Sequence, residues 1–195
     1  MPNRDTFLRR WKPLSGGFAV VALTTILISN PWTAGARQAD APWAAPELTH
    51  VDPQSWINSD PLTLEDLKGK VVLVDFWTYG CWNCYRSFPW LNALEDRLKQ
   101  QAFQVIGVHT PEFAHEKNPS QVSRKTREFG LAHPVMLDDD FSFWRAMNNQ
   151  YWPTFYLIDK TGQVRAQYVG EVHAGDYTAE KIEAQINQLL LERSS

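Results

Sequence analysis

Cys81 and Cys84 are the only cysteines in this 195-residue chain, and only Trp82 and Asn83 separate them. The apolar run Val71-Val72-Leu73-Val74-Asp75-Phe76-Trp77 ends shortly before the pair, and helical periodicity begins at it. Two thiols at a strand-to-helix junction are suited to thiol–disulfide exchange. The start of a helix offers free backbone N–H groups and positive potential, which favour a thiolate at Cys81. Cys84, one turn further on, can attack the mixed disulfide that Cys81 forms. A purely structural disulfide would gain little here, because such a bond stabilises mainly by closing a long loop. Structural zinc needs four ligands. The chain has no second cysteine pair, and His50, His109, His115, His133 and His173 show no paired spacing.

Asp75 is the next residue with chemical potential. A carboxylate inside an apolar strand is costly unless it pairs with a neighbour or has a task. Desolvation raises its pKa, so Asp75 could accept or return the Cys84 proton. The plain alternative is a carboxylate bonded to a nearby side chain. Catalytic candidates are therefore Cys81, Cys84 and Asp75. Trp77, Trp82 and Trp152 could form an apolar apron around the thiols, with core packing an equal option for Trp77. His109 reads first as a structural histidine.

These residues need elements to position them. Residues 61–70 read as a short helical turn closed by Gly69, and 71–77 as a strand buried on both faces. A helix over 82–101 puts Cys84, Phe88, Leu91, Leu94 and Leu98 on one stripe, with a kink expected at Pro89. A strand at 103–109, a polar connection at 112–123, a helix near 120–130 and a strand at 134–137 follow. Residues 140–148 read as a helix with Asp140 as its N-cap. Strands at 154–159 and 164–169 form a hairpin, and a final helix covers 179–192. Strands alternating with helices, closed by a hairpin and a helix, predict an α/β fold.

Of 19 basic and 22 acidic residues, four basic and one acidic lie in residues 1–36, so the remainder carries 15 against 21, a net of −6. An acidic body argues against a nucleic-acid surface. The first 36 residues read as an export signal or an uncleaved membrane anchor. A basic stretch to Lys12 precedes the apolar run Gly17–Ile28, then Asn30-Pro31 and the small-x-small pattern Ala34-Gly35-Ala36. Either use predicts an extracytoplasmic, periplasm-like location, with membrane contact only if the segment is retained. That compartment suits disulfide chemistry. Residues 37–50 read as an Ala/Pro-rich linker, and the folded domain as 51–195.

The chain resembles thioredoxin. Asp75 lies six residues before Cys81 and Pro89 eight after it, and Trp152-Pro153-Thr154 stands before the hairpin. The resemblance implies a thioredoxin fold, a central mixed sheet flanked by helices, and a cis peptide bond at Pro153 facing the disulfide. Cys81 and Pro153 are 72 residues apart, longer than in thioredoxin. The excess falls between His109 and His133, before the cis-proline strand, where the TlpA-like branch of exported thioredoxins carries an extra helix and strand. The segments Asp75-Phe76-Trp77-Thr78-Tyr79-Gly80-Cys81-Trp82-Asn83-Cys84, His109-Thr110-Pro111-Glu112-Phe113 and Tyr151-Trp152-Pro153 are similar to the thioredoxin-like domain of DipZ-type proteins.

From this likeness a redox-active disulfide Cys81–Cys84 is expected, with Trp82, Asn83, Trp152 and Pro153 meeting protein thiol or disulfide substrates. Exchange of this kind needs no cofactor and no metal. DipZ-type proteins carry a multi-span membrane domain with no counterpart in these residues, which implies a separate membrane electron donor or acceptor. The TlpA-like likeness favours a reductant, for example in cytochrome c maturation or cell-envelope redox homeostasis. A rival is a Sco-like copper chaperone using Cys81, Cys84 and His173, since thiolate suits Cu(I) and imidazole suits Cu(II). A redox-inert binding module is a third reading.

Overall fold

The computed structural model describes residues 37–193. The export or anchor segment at 1–36 lies outside them. The strands are β1 (Arg37–Ala44), β2 (Trp56–Ile57), β3 (Val71–Trp77), β4 (Phe103–His109), β5 (Val135–Leu137), β6 (Thr154–Ile158) and β7 (Gln163–Val169). The helices are α1 (Leu64–Leu67), α2 (Trp82–Leu98), α3 (Pro119–Glu128), α4 (Ser142–Ala146) and α5 (Tyr177–Leu191). They build one mixed sheet of seven strands in the order β1-β7-β6-β3-β4-β5-β2. The pairs β3–β4 and β4–β5 are parallel, and the other pairs are antiparallel.

β3 runs through the middle, and all seven of its residues are buried. Its alternation divides the core into two layers. Val71, Leu73 and Trp77 pack with Cys84, Phe88, Leu91 and Leu94 of α2, and with Ala179, Ile182 and Ile186 of α5. Val72, Val74 and Phe76 pack on the opposite face with Leu48, Trp56, Leu67 and the α4 residue Phe143. The stripe expected on α2 is thus the inner stripe. Pro89 sits inside α2 on its exposed side. The expected insertion after β4 is the 3-10 turn Ala114–Lys117, α3 and β5.

Two readings are corrected. The stretch 37–50 is not a linker. Its first eight residues form β1, which pairs with β7 through backbone bonds, and Leu48 is buried in the second layer. The register breaks between Gln38 and Trp43, where Pro42 falls, and an edge strand tolerates that interruption. The cap of α4 is also different. Both carboxylate oxygens of Asp138 accept helix N–H groups, from Phe143 at 2.9 Å and from Trp144 at 3.0 Å. Among the helix N–H groups Asp140 accepts only that of Ser142, and α4 is shorter than expected.

Candidate active site

Cys81 is the N-cap of α2, and its Sγ accepts the Cys84 N–H at 3.2 Å. The two cysteines form a disulfide with Cα atoms 5.3 Å apart. Their environments differ sharply. Cys81 is half-buried, whereas Cys84 is wholly buried under the apolar stripe. Only the first sulfur can meet an incoming protein.

Asp75 points into the same layer as Cys84, between Leu73 and Trp77 along β3. It is buried, and neither carboxylate oxygen has a hydrogen-bond partner. The alternative of a carboxylate bonded to a neighbouring side chain is therefore not what the fold provides. Burial without a partner pushes the Asp75 pKa up to about 8. The group can then exchange a proton near neutral pH.

The loop from β3 to α2 is pinned from several sides. The Cys81 N–H donates to the Thr78 carbonyl at 3.1 Å. His109, at the end of β4, is fully buried, and its Nε2 accepts the Tyr79 N–H at 3.4 Å and lies 3.3 Å from Thr78 Oγ1. Burial holds its pKa down at about 4, so the imidazole is neutral at ordinary pH. It is a structural support for the loop. Trp77 packs edge-on against Phe88 and His109 and belongs to the core.

Glu116 is the functional residue that the sequence concealed. It sits in a polar stretch and would ordinarily be solvated, yet it is fully buried. Its Oε1 accepts the Gly80 N–H at 2.9 Å, and its Oε2 accepts those of Glu112 and Phe113 at 2.6 and 2.9 Å. The carboxylate thus ties the insertion to the residue preceding Cys81. Position 80 needs glycine, because a Cβ there would run into Glu116 Oε1.

The expected substrate contacts divide by exposure. Trp82 is 65% exposed and stacks on Tyr85. Asn83 is exposed, with its carbonyl accepting the Ser87 hydroxyl. Trp152 is half-buried, donates Nε1–H to the Thr110 carbonyl at 3.0 Å, and packs on Trp144. The Trp152–Pro153 bond is cis. Phe76 pairs with Thr154, so the register carries Pro153 alongside Trp77, at the end of the sheet where the cysteine loop begins. Beside Cys81 lies a cleft of about 260 Å³ walled by Tyr79, Trp82, Tyr85 and Phe129, with Lys125 and Glu128 at its edge.

The copper arrangement is not assembled. Among the described residues, the only cluster of metal-ligating atoms is His50, Asp138 and Asp140, which contains neither cysteine. His173 is exposed and engages Glu171, which also pairs with Arg86.

Known proteins share this architecture. The DipZ protein of Mycobacterium tuberculosis is 41% identical over 159 residues, which are 80% of this chain but 22% of that protein. The thiol-disulfide oxidoreductase YkuV of Bacillus subtilis is 31% identical over 148 residues, covering 75% of this chain and 94% of YkuV. A solved structure from Chlorobium tepidum, described as a thiol:disulfide interchange protein DsbE, superposes with a TM-score of 0.66 at 28% identity, covering 77% of this chain and 98% of that one. The chain spans less than a quarter of the DipZ length. The Redoxin family model matches residues 44–186. With its thioredoxin fold and relatives that are thiol–disulfide oxidoreductases, the chain belongs to the Redoxin family.

Proposed function

We propose that this protein is an extracytoplasmic thiol–disulfide oxidoreductase that reduces disulfides in other proteins. The observation that carries this reading is the asymmetry of the two sulfurs, one reachable at a helix start and one buried on the Asp75 face. In the reduced protein the Cys81 thiolate attacks a substrate disulfide, forming a mixed disulfide and releasing one substrate thiolate. Cys84 gives its proton to Asp75 and attacks Cys81 Sγ, which expels the second substrate thiolate. The substrate gains two electrons, and the protein is left oxidised, with the Cys81–Cys84 disulfide. A separate membrane electron donor then reduces the pair again.

The small number of donors at Cys81 supports the reducing direction. Strong oxidants on this fold owe their potential to a stabilised reduced form. In the disulfide form one N–H, that of Cys84, reaches Cys81 Sγ, and neither Trp82 nor Asn83 supplies a cation. Apocytochrome c and other cell-envelope proteins with exposed cysteines fit as substrates. The aromatic cleft beside Cys81 receives apolar side chains next to the substrate cysteine.

Trapping tests the reading. Cys84→Ser should accumulate mixed disulfides through Cys81, and Cys81→Ser should accumulate none. Mixed disulfides that form through Cys84 instead would reverse the assignment.

A further inference from the structure

Unpartnered buried atoms on the α2 side of the sheet include Asp75 Oδ1 and Oδ2, Trp77 Nε1, His109 Nδ1 and His133 Nε2. An unsatisfied buried polar group costs about 1–3 kcal/mol. Several in one layer point to a shared use. Two of them, Trp77 Nε1 and His133 Nε2, flank Gly107, the cross-strand neighbour of Asp75. A Cβ on Gly107 would lie 3.0 Å from Trp77 Nε1 and 3.2 Å from His133 Nε2. The absence of a side chain at this position leaves both nitrogens over the strand position next to Asp75.

His133 also leads outward. It is buried, and its Nδ1 lies 3.0 Å from Glu95 Oε2. The Glu95 side chain is 24% exposed. Polar groups therefore follow one another from Asp75, across Gly107, to the imidazole and a carboxylate in contact with solvent, with one gap between Asp75 and His133. Other groups on this side are not placed to substitute. His109 is turned to the cysteine loop, and Glu183 of α5 is engaged by Trp90 Nε1 and Arg97. The buried residues of α5 are apolar.

We propose that His133 and Glu95 form the proton path joining buried Asp75, and through it Cys84, to solvent. One water held by the Asp75 carboxyl, Trp77 N–H and His133 Nε2 bridges the first gap, and it has the number of polar partners that a buried water needs. The path rests on the exchange reading above, with Cys84 as the resolving thiol. When Cys84 attacks, its proton moves to the Asp75 carboxylate. That proton passes to the water, which gives one of its own to His133 Nε2. The imidazole releases its Nδ1 proton to Glu95, and Glu95 releases it to bulk water. When the disulfide is reduced again, the flow reverses, Cys84 regains its proton and the imidazole returns to its starting tautomer.

Two variants test this in the full protein. His133→Gln retains a polar partner for Glu95 but cannot pass a proton through its side chain. Glu95→Gln leaves the imidazole packed. The carboxyl carbon of Asp75, followed by NMR through its titration, should give one averaged line in the native protein and a broadened or split line in both variants. The resolving step should slow about tenfold in both, a fraction of what general acid–base groups contribute, while attack by Cys81 stays unchanged. An averaged line with a native resolving rate in both variants overturns the path. A loss in His133→Gln alone overturns it too, because the route then does not leave through Glu95. If the native protein exchanges no disulfides, the functional reading fails instead, and the shape of the Asp75 line still decides the path.

Discussion

Glu116 Oε1 accepts the N–H of Gly80, one residue before the reactive cysteine, across 36 residues of sequence. The same carboxylate accepts two further N–H groups from the insertion. Glu116→Ala would leave three donors without their acceptor. At about 1–3 kcal/mol for an unsatisfied group, a loss of at least about 2 kcal/mol is expected. Glu116→Gln keeps one acceptor oxygen and should lose less. Denaturant unfolding measures both, and a stability change in Glu116→Ala below the usual surface range of about 0.5 kcal/mol would show that the tie is weak.

Asp75 and His109 make stability depend on pH in opposite senses. The folded pKa of Asp75 is raised to about 8, so the folded state holds a proton that the unfolded state loses near 4. Its contribution is fully present below the unfolded value and is lost as pH rises through about 8. The folded pKa of His109 is lowered to about 4, so its contribution is present above the unfolded value of 6.5 and is lost as pH falls towards 4. The two slopes largely cancel between these values. From there up to about pH 8 only Asp75 acts, with a limiting slope of about 1.4 kcal/mol per pH unit. Asp75→Asn should remove that slope, be more stable than the native protein at pH 8, and slow the resolving step. Unfolding across a pH series checks it, and equal slopes in the two proteins would place the Asp75 titration elsewhere.

Trp82 is exposed and forms one wall of the cleft beside Cys81. Trp82→Ala should change stability by no more than about 0.5 kcal/mol. It should slow attack on peptides with an aromatic residue next to the disulfide by up to about tenfold, matching the 0.5–1.5 kcal/mol of an aromatic pair. Glutathione disulfide, which has no such group, should react at the native rate. Equal losses for both substrates would mean that Trp82 supports the loop rather than the substrate.

β1 begins at Arg37, immediately after the expected cleavage point at Ala36. Cleavage there would leave each of the seven strands β1–β7 uncut. Sequencing protein isolated from its own cells should start at Arg37. An intact start in a membrane fraction would indicate an anchor, and an intact start in the cytoplasm would contradict export.

Most of the fold was legible because local pattern and tertiary role coincide. Six apolar residues around Asp75 mark β3, the Cys84–Leu98 stripe marks the inner face of α2, and Trp152-Pro153-Thr154 marks the entry to β6. β1 was not legible, since an edge strand pairs through its backbone and does not need alternating side chains. Asp138 was passed over for Asp140 because three successive aspartates precede α4, and only packing decides which one turns inward. Glu116 and the His133–Glu95 pair stayed hidden for a related reason. Gly80 lies 36 residues from Glu116, and Glu95 lies 38 from His133, where spacing carries no signal.

The reduction potential of the Cys81–Cys84 couple tests the reducing role most directly. Thioredoxin-fold couples span about −270 mV to −120 mV, the upper end belonging to proteins that stabilise their thiolate strongly. With one N–H donor on Cys81 Sγ and a buried Cys84, equilibration against a glutathione or thioredoxin couple should give a value below about −200 mV. A value near −120 mV would contradict the reducing role and make the protein an oxidant.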